Sequence, residues 1–279
     1  MILHPLLLLA CYAGAIVAAA LFGVWAQGVL SLSHTRMQMV MSFVAGLILG
    51  VALYHLIPHS VDQIQGPDAV GVATWWMVIG MLLMVFLLRV FRFHQHDVGG
   101  SGIQSHDEIR SKDPSLGWVG VVVGLGIHAL TEGTALGAAV RSGLHGKSDD
   151  ILPSFGIFLA ILSHKPLDSI SILGLMPVSR IGFRAAVTIN VVVALLCPVS
   201  AYLAYWGFGV FGPDEGGAIG RALAFGAGAL MCISLNDLLP EIHFHGHDRI
   251  LLTVSLLAGV SLAYGLHLLE HLPILGLAP

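Results

Sequence analysis

The chain has 279 residues, of which 56% are hydrophobic and only 10% charged, and its mean hydropathy is +0.88. That is too apolar for a soluble domain of this length and points to an integral membrane protein. A formal charge of -4 with a pI near 6.4 leaves no basic surface for nucleic acid.

Runs of roughly 20 apolar residues, enough to cross a bilayer, predict eight helices, at about 5–29, 37–61, 71–92, 116–140, 153–177, 183–208, 216–241 and 250–272. So little is left over that a single all-α transmembrane unit over residues 1–279 is expected. The first run starts at His4 and Pro5 without a basic leader or a small-residue cleavage site, and is expected to remain as a helix. Cys11, Cys197 and Cys232 stand alone in spans 1, 6 and 7, with no Cys-x-x-Cys, and read as small core residues.

Span 2 ends in His55-Leu56-Ile57-Pro58-His59 and span 7 in Asp237-Leu238-Leu239-Pro240-Glu241, a shared polar-Leu-aliphatic-Pro-polar pattern. Inverted-topology repeats leave such echoes, so spans 1–3 and 6–8 are expected to be inverted partners flanking spans 4 and 5. The longest connection, about 93–115, is rich in glycine, serine and charge and reads as a flexible loop. His94, His96, Asp97, His106, Asp107 and Glu108 give it weak metal-ligand character, but scattered ligands on a flexible loop fix no geometry.

Spans 4 and 5 carry the unusual chemistry: His128 and Glu132 in the first, His164 and Asp168 in the second. A spacing of four places both side chains of a pair on one helical face, about one turn apart. His128 lies about twelve residues into its span and His164 about eleven into its own, so both are expected near the middle of a core about 30 Å thick. An ionised carboxylate there costs about 2.5 to 3.5 kcal/mol and needs a partner. One histidine can be explained as a hydrogen-bonding packing residue, but two matched pairs at equal depth point to a four-ligand N/O site for a divalent cation.

Two neighbouring features support that reading. Pro166 removes an amide donor and predicts a broken helix beside the cluster, while Gly133 and Gly137 let another helix approach closely. Asn190 on span 6 reads equally as a lining residue of the centre and as a helix-packing amide.

Orientation follows from lysine and arginine in the connections. With the amino terminus outside, Arg36, Arg89, Arg92, Arg110, Lys112, Arg180, Arg184 and Arg249 lie inside, against Arg141, Lys147 and Arg221 outside, so both termini are expected to be extracytoplasmic. Trp25, Trp75, Trp76, Trp118 and Trp206 fall near span ends, as an aromatic belt does.

These residues together resemble the ZIP (Zrt/Irt-like) metal transporters. The resemblance runs along essentially the whole chain, and its specific part is His128, Glu132 and Gly133 on span 4 with His164 and Asp168 on span 5, supported by the Leu-x-Pro endings of spans 2 and 7. It implies a 3+2+3 helix arrangement, often dimeric, that moves zinc or a related divalent metal into the cytosol. Members with a two-metal centre have further ligands directly after the two histidines, where this chain has Ala129 and Lys165. The lysine is therefore expected to modulate the centre by occupying the place of a second cation.

By topology, His55, His59, Asp62, His267, Glu270 and His271 would form an outer entrance, similar to that of the family, and Asn236, Asp237, Glu241, His243, His245 and His247 an inner exit. Interfacial side chains are an equal reading, since span ends are where polar residues cost least. Two imidazoles and two carboxylates suit Zn2+ and Cd2+ and tolerate Fe2+, Mn2+, Co2+ or Ni2+ as cargo. A membrane-embedded zinc hydrolase, with Ser163 or Ser169 to spare, and a metal or proton channel are the alternatives. The scarcity of lysine and the absence of a targeting extension point to a bacterial inner membrane.

Overall fold

The computed structural model describes residues 5–29, 34–91, 117–143, 152–244 and 249–270, and among these all regular structure is helical. The helices are α1 (Pro5–Val29), α2 (His34–Val51), α3 (Ile57–Ile64), α4 (Ala69–Phe91), α5 (Gly117–Ser142), α6 (Leu152–Leu175), α7 (Val178–Ile181), α8 (Phe183–Gly207), α9 (Glu215–Phe244) and α10 (Arg249–Glu270). Each expected apolar run is helical within a few residues of its place, because long apolar segments must bond their backbone groups internally.

Among the described residues, seven helical stretches are long and apolar enough to cross a membrane, and the chain is a multi-pass membrane protein. One stretch, Phe183–Asn236, has 54 residues and would be about 80 Å long if straight, far more than a bilayer core. It comprises α8, a 3₁₀ segment Phe208–Asp214 and α9, with a non-helical backbone at Gly212 (φ 55°, ψ -120°) that an L side chain rarely adopts.

Close contacts fix the helix directions. Gly133 and Gly137 of α5 sit against the carbonyls of Cys197 and Ala201, so α5 and α8 run parallel. Ala135 meets Gly226 and Arg141 meets Glu215, so α5 and α9 run antiparallel, and α8 and α9 must therefore reverse direction at Gly212. Tyr12 with Ser154 and Gly23 with Pro166 make α1 parallel to α6. Gly46 with Leu256 and Gly50 with Ala263 do the same for α2 and α10. Leu56 near Gly226 and Ser60 near Gly220 set α3 antiparallel to α9.

Two groups of helices result, α1 with α5, α6 and α8, and α2 to α4 with α9 and α10. Within each, glycines bring backbones together: Gly23, Gly133 and Gly137 in the first, Gly46, Gly80, Gly228 and Gly259 in the second, each against a neighbouring carbonyl. Across the boundary Gly156 faces the ring of His55 and Gly226 faces Cβ of Ala135. Buried apolar side chains from both groups, including Ile16, Leu47, Leu136, Ile161 and Leu223, form one continuous core.

Two expectations are corrected. Pro166 does not break its helix: α6 continues through it, as helices do when neighbouring segments re-satisfy the freed groups. Cys11 faces outward, whereas Cys197 and Cys232 are buried and all three thiols are free. Between α2 and α3, Ala52–Leu56 forms a π-helical turn in which the amide of Ile57 reaches back to the carbonyl of Ala52. Pro58 follows with no amide to give, which favours this irregularity.

Candidate metal site

The site is built where α5 and α6 face each other. Packing of Gly133 and Gly137 on α8 holds the opposite face of α5 toward α6, and Gly23 of α1, on the carbonyl of Pro166, holds α6 from behind. The spacing of four then aims His128 and Glu132 from one helix, and His164 and Asp168 from the other, at a common point. One ligand atom from each of these four residues lies within 4.8 Å of all the others.

Glu132 is the hub. Its Oε1 meets Nε2 of His128 at 2.8 Å and also Nε2 of His164, while Oε2 accepts from Nζ of Lys165 at 2.7 Å. Lys165 reaches Oδ2 of Asp168 at 3.2 Å as well, so one ammonium spans both carboxylates. The two imidazole centroids are 5.7 Å apart. Side-chain exposures of 1% for Glu132 and 3% for Lys165, against 19% for Asp168, make Asp168 the open member of the cluster. An ionised carboxylate as deep as Glu132 is stable only with such partners.

The surroundings are satisfied locally. His164 Nδ1 donates to the carbonyl of Ala160 at 2.6 Å, and Thr131 donates to the carbonyl of His128 at 2.7 Å. Asn190 is buried and packs beside the site: its amide donates to the carbonyl of Ser169 at 3.1 Å, and its Oδ1 accepts from the Ser169 hydroxyl at 3.0 Å. Ser163 donates to the carbonyl of Ala160. Both serine hydroxyls thus donate to acceptors that are not a general base.

The expected entrance residues occupy one helical file of graded exposure: Asp62 exposed, His59 half-buried and His55 fully buried. His55 donates through Nε2 to the carbonyl of Ala263 at 3.1 Å, and its ring lies 5.8 Å from that of half-buried His267. Asn236 is exposed on α9. The side chains of Glu270, Asp237, Glu241 and His243, and residues His271, His245 and His247, lie outside the described residues, as does the 93–115 loop.

Arg141, expected in an outer connection, lies in the last turn of α5. It forms an ion pair with Glu215 at 2.5 Å and stacks over the ring of Tyr205 at 5.3 Å, joining the end of α5 to the start of α9. No local signal announces a pair 74 positions apart.

No family model matches the chain. It is 24% identical over 268 residues to zinc transporter ZIP9-A of Xenopus laevis, a match spanning 83% of this chain and 85% of that protein. It is 22% identical over 274 residues to zinc transporter ZIP9 of Xenopus tropicalis, with the same coverage. Against zinc transporter ZIP9 of Micropogonias undulatus it is 25% identical over 194 residues, 68% of this chain and 56% of that protein.

Proposed function

We propose that this chain is a ZIP-type transporter that carries zinc, or a divalent cation of similar ligand preference, across the membrane toward the cytosol. The observation that carries the reading is the convergence of His128, Glu132, His164 and Asp168 between two apolar helices. Two imidazoles and two carboxylates are a donor set for a borderline cation, and a buried cluster of this kind is otherwise expensive in lipid. Relatives named as zinc transporters, similar along most of the chain, support the same cargo.

In this reading the polypeptide crosses the bilayer eight times, with α8 and α9 as separate crossings. The central α5–α6 pair stands between inverted three-helix halves, and both termini are extracytoplasmic. Asp62, His59 and His55 lead the cation inward by increasing burial, with half-buried His267 beside His55; Glu270 and His271 extend that mouth, and Asn236, Asp237, Glu241, His243, His245 and His247 receive it.

Lys165 sets the occupancy. With Glu132, Asp168 and the ammonium, one divalent ion brings the centre to a net charge of +1, whereas two bring it to +3. The second arrangement is unfavourable where the dielectric is low, so the centre takes one ion, which competes with the ammonium for the carboxylates.

Metal-by-metal uptake into proteoliposomes, with and without a pH gradient, tests the function. Zinc flux that saturates and weakens in mildly acidic medium is expected, because protons compete for ligands that must be deprotonated to bind. Absence of flux for every divalent metal, or non-saturating flux characteristic of a channel, overturns the proposal.

A further inference from the structure

The two histidines of the cluster differ in what holds the nitrogen turned away from Glu132. His164 donates its Nδ1 proton to the carbonyl of Ala160 at 2.6 Å, which commits Nε2 to the centre. Metal-binding imidazoles nearly always have such an outer partner, and it fixes both ring orientation and tautomer. His128 also turns Nε2 to Glu132, but its Nδ1 is buried with no hydrogen-bond partner among the described residues. The residue is 3% exposed and lines a cavity of about 10 Å³ between α5, α6 and α9, walled mainly by Ala135, Ile157, Ile161, Ala229 and Leu230. That is room for about one water. The hydroxyl of Thr131, also on this cavity, is spent on the carbonyl of His128.

We infer that the two imidazoles are unequal ligands, with His164 the fixed one that captures the divalent ion and His128 the yielding one that lets it go. The inference rests on the metal-site reading above. When an ion is bound through Nε2, each ring keeps its remaining proton on Nδ1. For His164 that proton already has the Ala160 carbonyl. For His128 no described residue accepts it, and a proton without a fixed acceptor holds the ring less firmly on the metal than the Ala160 carbonyl holds His164. A carrier needs both properties, since a site of four equally rigid ligands would capture well and release slowly.

The test is zinc titration of detergent-purified protein against a competing chelator, together with zinc release after rapid dilution. His164→Ala should weaken zinc binding about 10-fold more than His128→Ala, the scale on which loss of an outer partner acts. Glutamine variants of both positions repeat the comparison with side-chain volume retained. In the otherwise unmodified protein, Ala229→Ser places a hydroxyl on the cavity wall; zinc release should slow several-fold, and the effect should vanish in combination with His128→Gln. Equal losses at the two histidines, or a larger loss at His128, overturn the inference while leaving the metal site intact. Zinc affinity unchanged in every histidine variant overturns the metal-site reading itself.

Discussion

The two helix groups are assembled by the same device and differ in what they do with buried polar groups. In the group of α2, α4, α9 and α10, side chains are satisfied one at a time by a carbonyl of a neighbouring helix: Ser234 by Ala45, Ser255 by Met39, His55 by Ala263. In the group of α1, α5, α6 and α8, Glu132, His128, His164, Lys165 and Asp168 instead face one another. Polar groups of the first kind join helices. Those of the second kind hold charge at a depth where it must be compensated, and a compensating partner can be exchanged for a metal ion.

The largest expected effect breaks or upholds this contrast directly. Alanine at His128, Glu132, His164 or Asp168 should lower zinc uptake by more than about 10-fold while folded protein is still recovered. Alanine at Ser234 or Ser255 should lower thermal stability by about 0.6 kcal/mol and leave uptake near the parental rate. Uptake lost in the serine variants and kept in the four ligand variants would mean that the functional polar groups have been assigned to the wrong helices.

A smaller effect sharpens the boundary between the groups. A Cβ at Gly133 would collide with the backbone carbonyl of Cys197, which can move only with α8. At Gly156 it would meet the His55 ring at 3.0 Å, and a side chain can shift. Overpacking typically costs about 1–3 kcal/mol, and Gly133→Ala should fall at the upper end with Gly156→Ala at the lower. Equal melting temperatures for the two variants would dissolve the distinction between backbone packing inside a group and side-chain packing across the boundary.

The smallest effect concerns exchange of the ammonium for metal. Lys165→Ala should leave Glu132 and Asp168 free to hold zinc more tightly and release it several-fold more slowly, with one ion per chain in the parent protein. Lys165→Glu should go further and admit a second ion. Two ions bound at the centre of the unmodified protein would refute the role given to Lys165.

Much of this is legible in the sequence. Apolar length set the helices, and the four-residue spacings of His128 with Glu132 and of His164 with Asp168 put each pair on one face, since both properties depend only on the local helix. The small residues Gly133 and Gly137 announced a close neighbour for the same reason. What the sequence could not say is which neighbour: that α8 lies there, that Asn190 joins Ser169 beside the cluster rather than entering it, or that α6 passes through Pro166 unbroken. The pairing of Lys165 with Asp168, three residues on, and with Glu132 across the helix pair was also legible, since a buried ammonium needs a counter-charge. Tertiary structure alone decided that Arg141 pairs with Glu215, and that the Ala160 carbonyl serves His164 while no described residue serves Nδ1 of His128. Those contacts join residues on different helices or turn on the rotation of a single ring, and no local periodicity encodes either.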